Sequence, residues 1–386
     1  MSGIVLSAAV RQNLLSLQST AELLATTQNR LASGKKVNSA LDNPTNFFTA
    51  QGLDNRASDI NNLLDAIGNG VQVLQAANTG LTSLQKLVDT AKSIANQVLQ
   101  TTTGYTTKSS VSSSALLGTA TNLVDGVGIK SGDKLVIAAT TGIPAVSITL
   151  GASESLNQLN TALAASNLSA SLDSSNKLVI TTTNDAASST IGAVTWTSTG
   201  TATFGATGSA PVADANSQTT RASLVSQYNN IIAQITTTAQ DSSFNGINLL
   251  FGDDLKLTFN ETGKSTLNIK GVTYDAAGLG LAPLAAGTDF LDNSSANAVI
   301  AKVTAASIQL RTEASSLGSN LSIVQIRQDF SKNLINVLQT GASNLTLADS
   351  NEEAANSQAL STRQSIAVSA LALSNQAQQS VLQLLR

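Results

Sequence analysis

The chain has 386 residues with 21 Lys plus Arg against 24 Asp plus Glu, a net charge of −3 that gives no basic footprint for nucleic acid. It contains neither cysteine nor histidine, which removes disulfides, thiol chemistry, Ser–His nucleophiles and His/Cys metal sites together. Only 12% of residues are charged, where ordinary globular domains carry about a quarter, so contacts with other chains are expected to replace much of the usual solvated surface.

The first residues, MSGIVLSAAVRQNLLSLQ, have no basic n-region and no unbroken apolar run, so no classical signal peptide is expected. Leu6, Val10, Leu14, Leu17, Ala21, Leu24 and Leu31 recur in steps of three and four or their sum, which predicts a helix with a heptad-like seam. Its only charges through residue 30 are Arg11, Glu22 and Arg30. Ser33-Gly34 breaks that helix, and Asp42 or Asn43 before Pro44 supplies the cap of a second one. Ile60, Leu64, Ile67, Val71, Leu74, Asn78 and Leu81 keep the heptad step, and Leu84, Val88, Ala91, Ala95 and Val98 carry it to about Gln100. Asn78 is expected to be a polar core position that sets register.

From Thr101 to about Gln218 the pattern changes. Lys134–Ala138, Ala145–Leu150 and Lys177–Thr182 are short β-branched runs, and a helix is expected from Glu154 to Ala165 behind Ser153 as cap. A small α+β domain is therefore inserted between helices, with Ser/Thr-rich connectors at 101–114 and 195–217, and the single Trp196 reads as a packing residue. Helical periodicity returns at Thr220–Thr238. Phe244-Asn245-Gly246 gives a tight turn, and Leu255, Leu257, Phe259, then Leu267 and Ile269, alternate as a hairpin. A third long helix runs from about Ala296 to Gln339 on a face of Val303, Ala306, Leu310, Leu317, Leu321, Val324, Phe330, Leu334 and Val337, and Gly341 is the expected break before the last helix.

That last helix has no charge between Arg363 and Arg386. Five glutamines, four serines and an asparagine make it too polar for a lipid span, so membrane insertion is excluded. Ile366, Ala370, Leu373, Ala377, Val381 and Leu384 form an apolar seam, expected to meet the N-terminal helix around Leu6–Leu31 and to leave the Gln/Ser side for neighbours. The neighbouring pairs Asp253-Asp254 and Glu352-Glu353 diverge too much for acid–base chemistry and read as solvated charge, as do Lys35-Lys36, or else as intersubunit charge. No enzyme, cofactor or metal site is expected.

Three ordered sets of residues resemble those of bacterial flagellin. They are Arg30-Leu-Ala-Ser-Gly-Lys-Lys-Val-Asn-Ser-Ala-Leu-Asp42, followed by Asn69-Gly-Val-Gln-Val-Leu-Gln75; Phe244-Asn-Gly-Ile-Asn-Leu-Leu250; and Leu317-Gly318 through Ala348-Asp-Ser350 to Ala377–Arg386. The resemblance covers most of residues 1–103 and 218–386 and implies a mainly α fold. Both termini form a long coiled-coil core, joined by a β-hairpin and a small outer α+β insertion domain. The implied domains are an inner-tube helix and spoke (1–42), a rod helix (43–103), a variable outer domain (104–217), rod helices with the hairpin (218–341) and a C-terminal inner-tube helix (342–386).

On this reading Leu6, Val10, Leu14, Leu17, Leu24, Leu31, Ile366, Leu373, Val381 and Leu384 pack the inner tube and its intersubunit contacts. Ile60, Leu64, Ile67, Val71, Leu74, Leu310, Leu317 and Leu321 form the rod core. The implied function is self-assembly into the extracellular flagellar filament for swimming, after type III export without a cleaved signal. The implied partners are further copies of the chain, the filament cap, hook-junction proteins and an export chaperone at the C-terminal helix. Two stretches depart from the family pattern. Asn43-Pro44-Thr45-Asn46-Phe47-Phe48 replaces an Asp-Asp-Ala-Ala-Gly run, which alters the spoke. In Leu84–Thr90 only Lys86 and Asp89 keep comparable charge, so a host innate receptor is expected to bind weakly. A hook–filament junction protein, or an adhesin acting through 104–217, is the alternative.

Overall fold

The computed structural model describes residues 8–114 and 118–384. In order these form α1 (Ala8–Ser33), α2 (Pro44–Gln100), β1 (Tyr105–Thr107), β2 (Ser110–Ser112), β3 (Lys134–Ile137), β4 (Val146–Thr149), α3 (Leu156–Ala164) and β5 (Leu168–Leu172). Then come β6 (Leu178–Thr182), β7 (Val194–Thr197), β8 (Val212–Ala213), α4 (Ala215–Asp241), β9 (Leu255–Thr258), β10 (Thr266–Ile269), α5 (Asn293–Thr346) and α6 (Ser350–Leu384). The chain divides into two compact units. One holds residues up to Asn69, Leu257–Leu267 and Ile323 onward, and the other holds Gly70–Lys256 and Asn268–Ser322. Among the described residues no helix is long and apolar enough to cross a membrane.

In the second unit the inserted segment builds two antiparallel three-stranded sheets, ordered β2-β6-β5 and β4-β3-β7. The short β-branched runs turn alternate residues inward, so that Leu135 and Ile137 of β3 join Leu163 of α3, Leu168 and Ile180 in a shared core. Trp196 lies on edge strand β7 with its ring tilted against Phe204, centroids 5.0 Å apart. The helix is capped by Ser155 and not by Ser153, because Ser155 and Gln158 form a reciprocal capping box that Ser153 cannot reach. From α3, Asn160 donates to Ala170 O (3.0 Å) and accepts from Ala170 N (2.6 Å), tying the helix to the open edge of β5. The predicted Ser/Thr connectors are themselves paired. β1 joins β8 antiparallel as the two ends of the insertion come together, since Thr, Tyr and Val suit extended backbone once a partner strand is present.

In the same unit, the end of α2, the start of α4 and the approach to α5 are joined by a single cation. Arg221 of α4 is 1% exposed. Its guanidinium donates to Val98 O (3.1 Å), Thr101 O (3.2 Å) and Thr102 O (2.8 Å) at the end of α2, and to Phe290 O (2.5 Å) and Leu291 O (3.3 Å) before α5. A helix leaves its last carbonyls unpaired and carries partial negative charge there, so a rigid five-donor cation fits the position in a way lysine would not. Nearby, Tyr228 packs edge-to-face on Phe290 at 6.0 Å.

Along α2 the buried stripe contains Ile67, Val71, Val73, Leu74, Ala77, Leu81, Leu84, Val88, Ala91, Ala95 and Val98. Asn78 is not part of it and is exposed. The helix has neighbours on more than one side, so its buried stripe is wider than a two-residue seam. Ala77 takes the place that an amide could hold only with a buried partner. On α5, Val303, Ala306, Leu310 and Leu317 are buried and Leu321 is half-buried.

The Phe244–Leu250 motif has a local physical basis. Phe244 and Ile247 exchange both backbone bonds at 3.0 Å around Asn245 (φ 50°) and Gly246 (φ 80°), a turn with two positive φ values that Asn-Gly adopts with little strain. Buried Asn248 then donates to Ala239 O (2.8 Å) and Gln240 O (2.9 Å), satisfying carbonyls at the end of α4, and accepts from Leu250 N (3.0 Å).

Arg221→Met should lower stability by about 3 kcal/mol or more, since it strands buried carbonyls, and Asn248→Ala by about 2 kcal/mol. Both are read from urea midpoints of the full chain. Burial pushes the phenols of Tyr228 and Tyr274 up to about 12, Tyr274 with help from the Glu313 carboxylate. A phenol raised from its ordinary value near 10 stabilises the fold fully below that value. The urea midpoint should therefore stay flat to about pH 10 and fall as pH rises toward 12, less steeply in Tyr228→Phe.

Candidate assembly interface

The first unit gathers α1, α6, the lower parts of α2 and α5, and the hairpin tip. Its joint is a short stretch of paired backbone. Gly34 ends α1 at φ +67°, a conformation glycine takes without penalty. The chain then lies against the α5–α6 junction: Lys36 N donates to Thr346 O (2.8 Å), Ala348 N donates to Gly34 O (3.0 Å), and Lys35 bridges Leu347 antiparallel. Here α5 ends, and not at Gly341, which stays inside the helix. One helical glycine costs only about 1 kcal/mol, whereas the pairing with residues 34–37 stops the helix outright. Asp349 then caps α6 by accepting from Asn351 N (2.9 Å).

Asp42 closes the turn that follows. It accepts from Ser39 N (2.8 Å) and Asn38 N (2.9 Å), and these backbone donors hold its carboxyl below the usual carboxylate range. Asn43 accepts from Asn46 N (3.0 Å) as the cap of α2, with Pro44 at the first helical position. Most of the polar residues from Gly34 to Asp42 thus have a backbone partner or end a helix.

Arg30, near the end of α1, pairs with Glu353 in the first turn of α6 at 3.4 Å, so the two helices run antiparallel along each other. On α1 the covered positions are Val10, Asn13, Leu17, Thr20, Leu24, Thr27 and Arg30; on α6 they are Glu353, Ser357, Leu360, Gln364, Ala367, Leu371 and Ser374. Both sets keep steps of three and four, and both are half polar. Val10 is buried, Leu17 and Leu24 are half-buried, and Leu14 and Leu31 are exposed. Leu6 and the side chains of Val381 and Leu384 lie outside the described residues.

The stripe expected to meet α1 points elsewhere, with Ile366 at 64% and Leu373 at 69% exposed. The correction is one residue's step, about 100° of helix rotation. Periodicity shows that a helix has a face but does not choose between two neighbouring faces; the face observed is the one on which Glu353 pairs with Arg30.

Lower on the unit, Ala57 and Ile60 of α2 pack on Ile335 and Leu338 of α5, with Leu64 and Leu334 alongside. The hairpin tip is held by Arg56–Glu261 (2.7 Å) and by Arg327 over the Phe259 ring at 5.7 Å. Beyond Val324 the buried face of α5 is Ser331, Ile335, Leu338 and Ala342, while Phe330 and Val337, expected inside, are exposed. The helix keeps one 3.6-residue face toward α2, and Phe330 and Val337 fall outside that face. Of the twenty exposed large hydrophobic side chains among the described residues, fourteen belong to this unit, including Leu15, Leu23, Leu41, Phe48, Ile326 and Val368. Patches of this kind mark a protein contact.

Residues 5–127 match the bacterial flagellin N-terminal helical region and residues 300–385 the bacterial flagellin C-terminal helical region, together more than half of the chain. The chain is 32% identical over 165 residues to flagellin FljM of Caulobacter vibrioides, covering 42% of this chain and 59% of that relative. It is 38% identical over 90 residues to flagellin A of Rhizobium meliloti, 23% of each chain. It is 26% identical over 390 residues to flagellin C of the same species, 100% of this chain and 99% of the relative. The chain thus spans about three-fifths of the length of the first Caulobacter relatives and the whole length of the last. With its two helical ends matched to the two family regions and its insertion between them, the chain belongs to the bacterial flagellin family.

Proposed function

We propose that the chain is the structural subunit of an extracellular bacterial flagellar filament, and that its mechanism is packing between copies. The observation that carries this reading is the concentration of exposed large apolar side chains on the unit built from the two termini. A buried Leu, Ile or Phe contributes about 1.5–3 kcal/mol before entropy, so a dozen such residues per copy can outweigh the cost of ordering. Different patches meeting head to tail with an unclosed rotation generate a helix and not a ring.

In this reading 1–42 and 342–386 line the inner tube, 43–103 and 218–341 form the rod, and 104–217 faces outward. The chain is not an enzyme; its roles are contacts with further copies, the filament cap, the hook-junction proteins and, before export, a chaperone on α6. In Leu84–Thr90 the exposed side chains are Lys86, Asp89 and Thr90, so two charges are what that stretch offers a host receptor, which supports weak recognition.

Deleting residues 364–386 removes the exposed stripe of α6 and should leave soluble chains that form no filaments under polymerising conditions. Electron microscopy decides the matter, and ordinary filaments from the truncated chain would overturn the reading.

A further inference from the structure

The insertion carries its own core: its buried apolar cluster is drawn wholly from residues 111–202, with no member from α2, α4 or α5. The pairing of β1 with β8 ties its two ends together. A body with a closed core, joined to its neighbours through one short pair of connectors, is free to pivot at that joint unless a second contact holds it.

Such a contact lies at the start of α5. Ser188, which follows the turn Asn184–Ala186, donates its backbone N–H to Asp292 Oδ1 at 2.7 Å and its hydroxyl to Asp292 Oδ2. Both residues are half-buried. Asp292 immediately precedes α5, where a carboxylate ordinarily accepts from the first N–H groups of its own helix. Among the described residues no backbone N–H of α5 reaches that carboxylate; only the Asp292 carbonyl serves the helix, accepting from Ser295 Oγ at 2.9 Å. Both carboxylate oxygens thus leave the local task for a partner 104 positions away.

The segment that presents Asp292 is held in an uncommon conformation. Phe290, fully buried, has φ 60°, a left-handed backbone that a bulky residue keeps only where its surroundings enforce it. Arg221 supplies the enforcement by donating to Phe290 O and Leu291 O and, at 3.3 Å, to Asn293 Oδ1, while Tyr228 packs on the Phe290 ring. Residues 290–293 therefore act as a bracket, fixed to the helices through Arg221 and to the insertion through Asp292.

We propose that Ser188 and Asp292 form a latch that fixes the angle of the insertion on the helices of its unit, with Asp292 as the positioning residue of the insertion and not the cap of α5. Two hydrogen bonds at a half-buried site are few, so the latch opens while the insertion's core and its connectors stay intact. The inference does not depend on the filament reading.

Because the chain has no cysteine, introduced thiols can be spin-labelled without competition. In the full chain, labels at Ser174→Cys in the insertion and Ala305→Cys on α5, both exposed positions, report the angle as a distance distribution from pulsed electron resonance. Labels at Ser174→Cys and Ser147→Cys, both in the insertion, report its internal fold. Adding Asp292→Ala should widen the first distribution about twofold or more and leave the second unchanged. Ser188→Asp, which sets two carboxylates against each other, should widen the first from the insertion's side. Asp292→Asn removes the charge that acts on Arg221 but keeps an acceptor for Ser188 N and offers a donor to the Ser188 hydroxyl, so it should keep the narrow distribution of the unaltered chain. A first distribution that stays narrow in Asp292→Ala or in Ser188→Asp would overturn the inference. So would an Asp292→Asn chain as wide as Asp292→Ala, which would assign the effect to charge beside Arg221, or a widening of both distributions, which would mean that Asp292 holds the insertion's fold and not its angle.

Discussion

Two helices running along each other can each cover only one side of the other, and α1 and α6 have apolar residues on more than one side. Val10, Leu17 and Leu24 are at least half-covered by α6, while Leu14, Leu15, Leu23 and Leu31 are not. The same holds for Leu360 and Leu371 against Ile366, Val368 and Leu373. A low charged fraction follows from the same constraint, since these outer faces cannot carry many unpaired charges if they are to be covered again. Of the few charges on α1 and α6, Arg30 and Glu353 pair with each other across the two helices.

The second unit solves the opposite problem. Its helices have enough neighbours to bury nearly all their large apolar side chains, and polar groups are used there to finish helix ends. Arg221 gathers carbonyls from the end of α2 and the approach to α5, and Asn248 does the same for α4. Both are side chains whose donors outnumber what an apolar residue could offer, placed where regular structure leaves acceptors unpaired. The insertion between α2 and α4 is closed by β1 and β8 pairing across its two ends. Its core of Leu135, Ile137, Leu163 and Ile180 is therefore built between α2 and α4, and its strands need not interrupt the helices.

Much of this is written in local sequence. Gly34, Asn43-Pro44, Asn245-Gly246 and the period-two runs of β3, β6, β9 and β10 act through the backbone conformations those residues prefer, within a few positions of where they stand. The heptad steps of α1, α2, α5 and α6 likewise announce long helices with a buried face. The family's terminal motifs add that both ends belong together.

The sequence by itself therefore determined the long helices, strands β3, β4 and β6, the β9–β10 hairpin, the nested order of helical ends around an α+β insertion, and the membership in the flagellin family, while β1, β2, β5, β7 and β8 came only with their partner strands. Tertiary structure decided which face of each helix is inside. Asn78 gave way to Ala77 because α2 has neighbours on more than one side; Phe330 and Val337 gave way to Ser331 and Leu338 because α5 keeps a single face toward α2; and Ile366 gave way to Ala367 beside the long-range Arg30–Glu353 pair. Rotating a helix by one residue leaves its periodicity, composition and length unchanged, so nothing local distinguishes the alternatives. Only the position of the partner helix does.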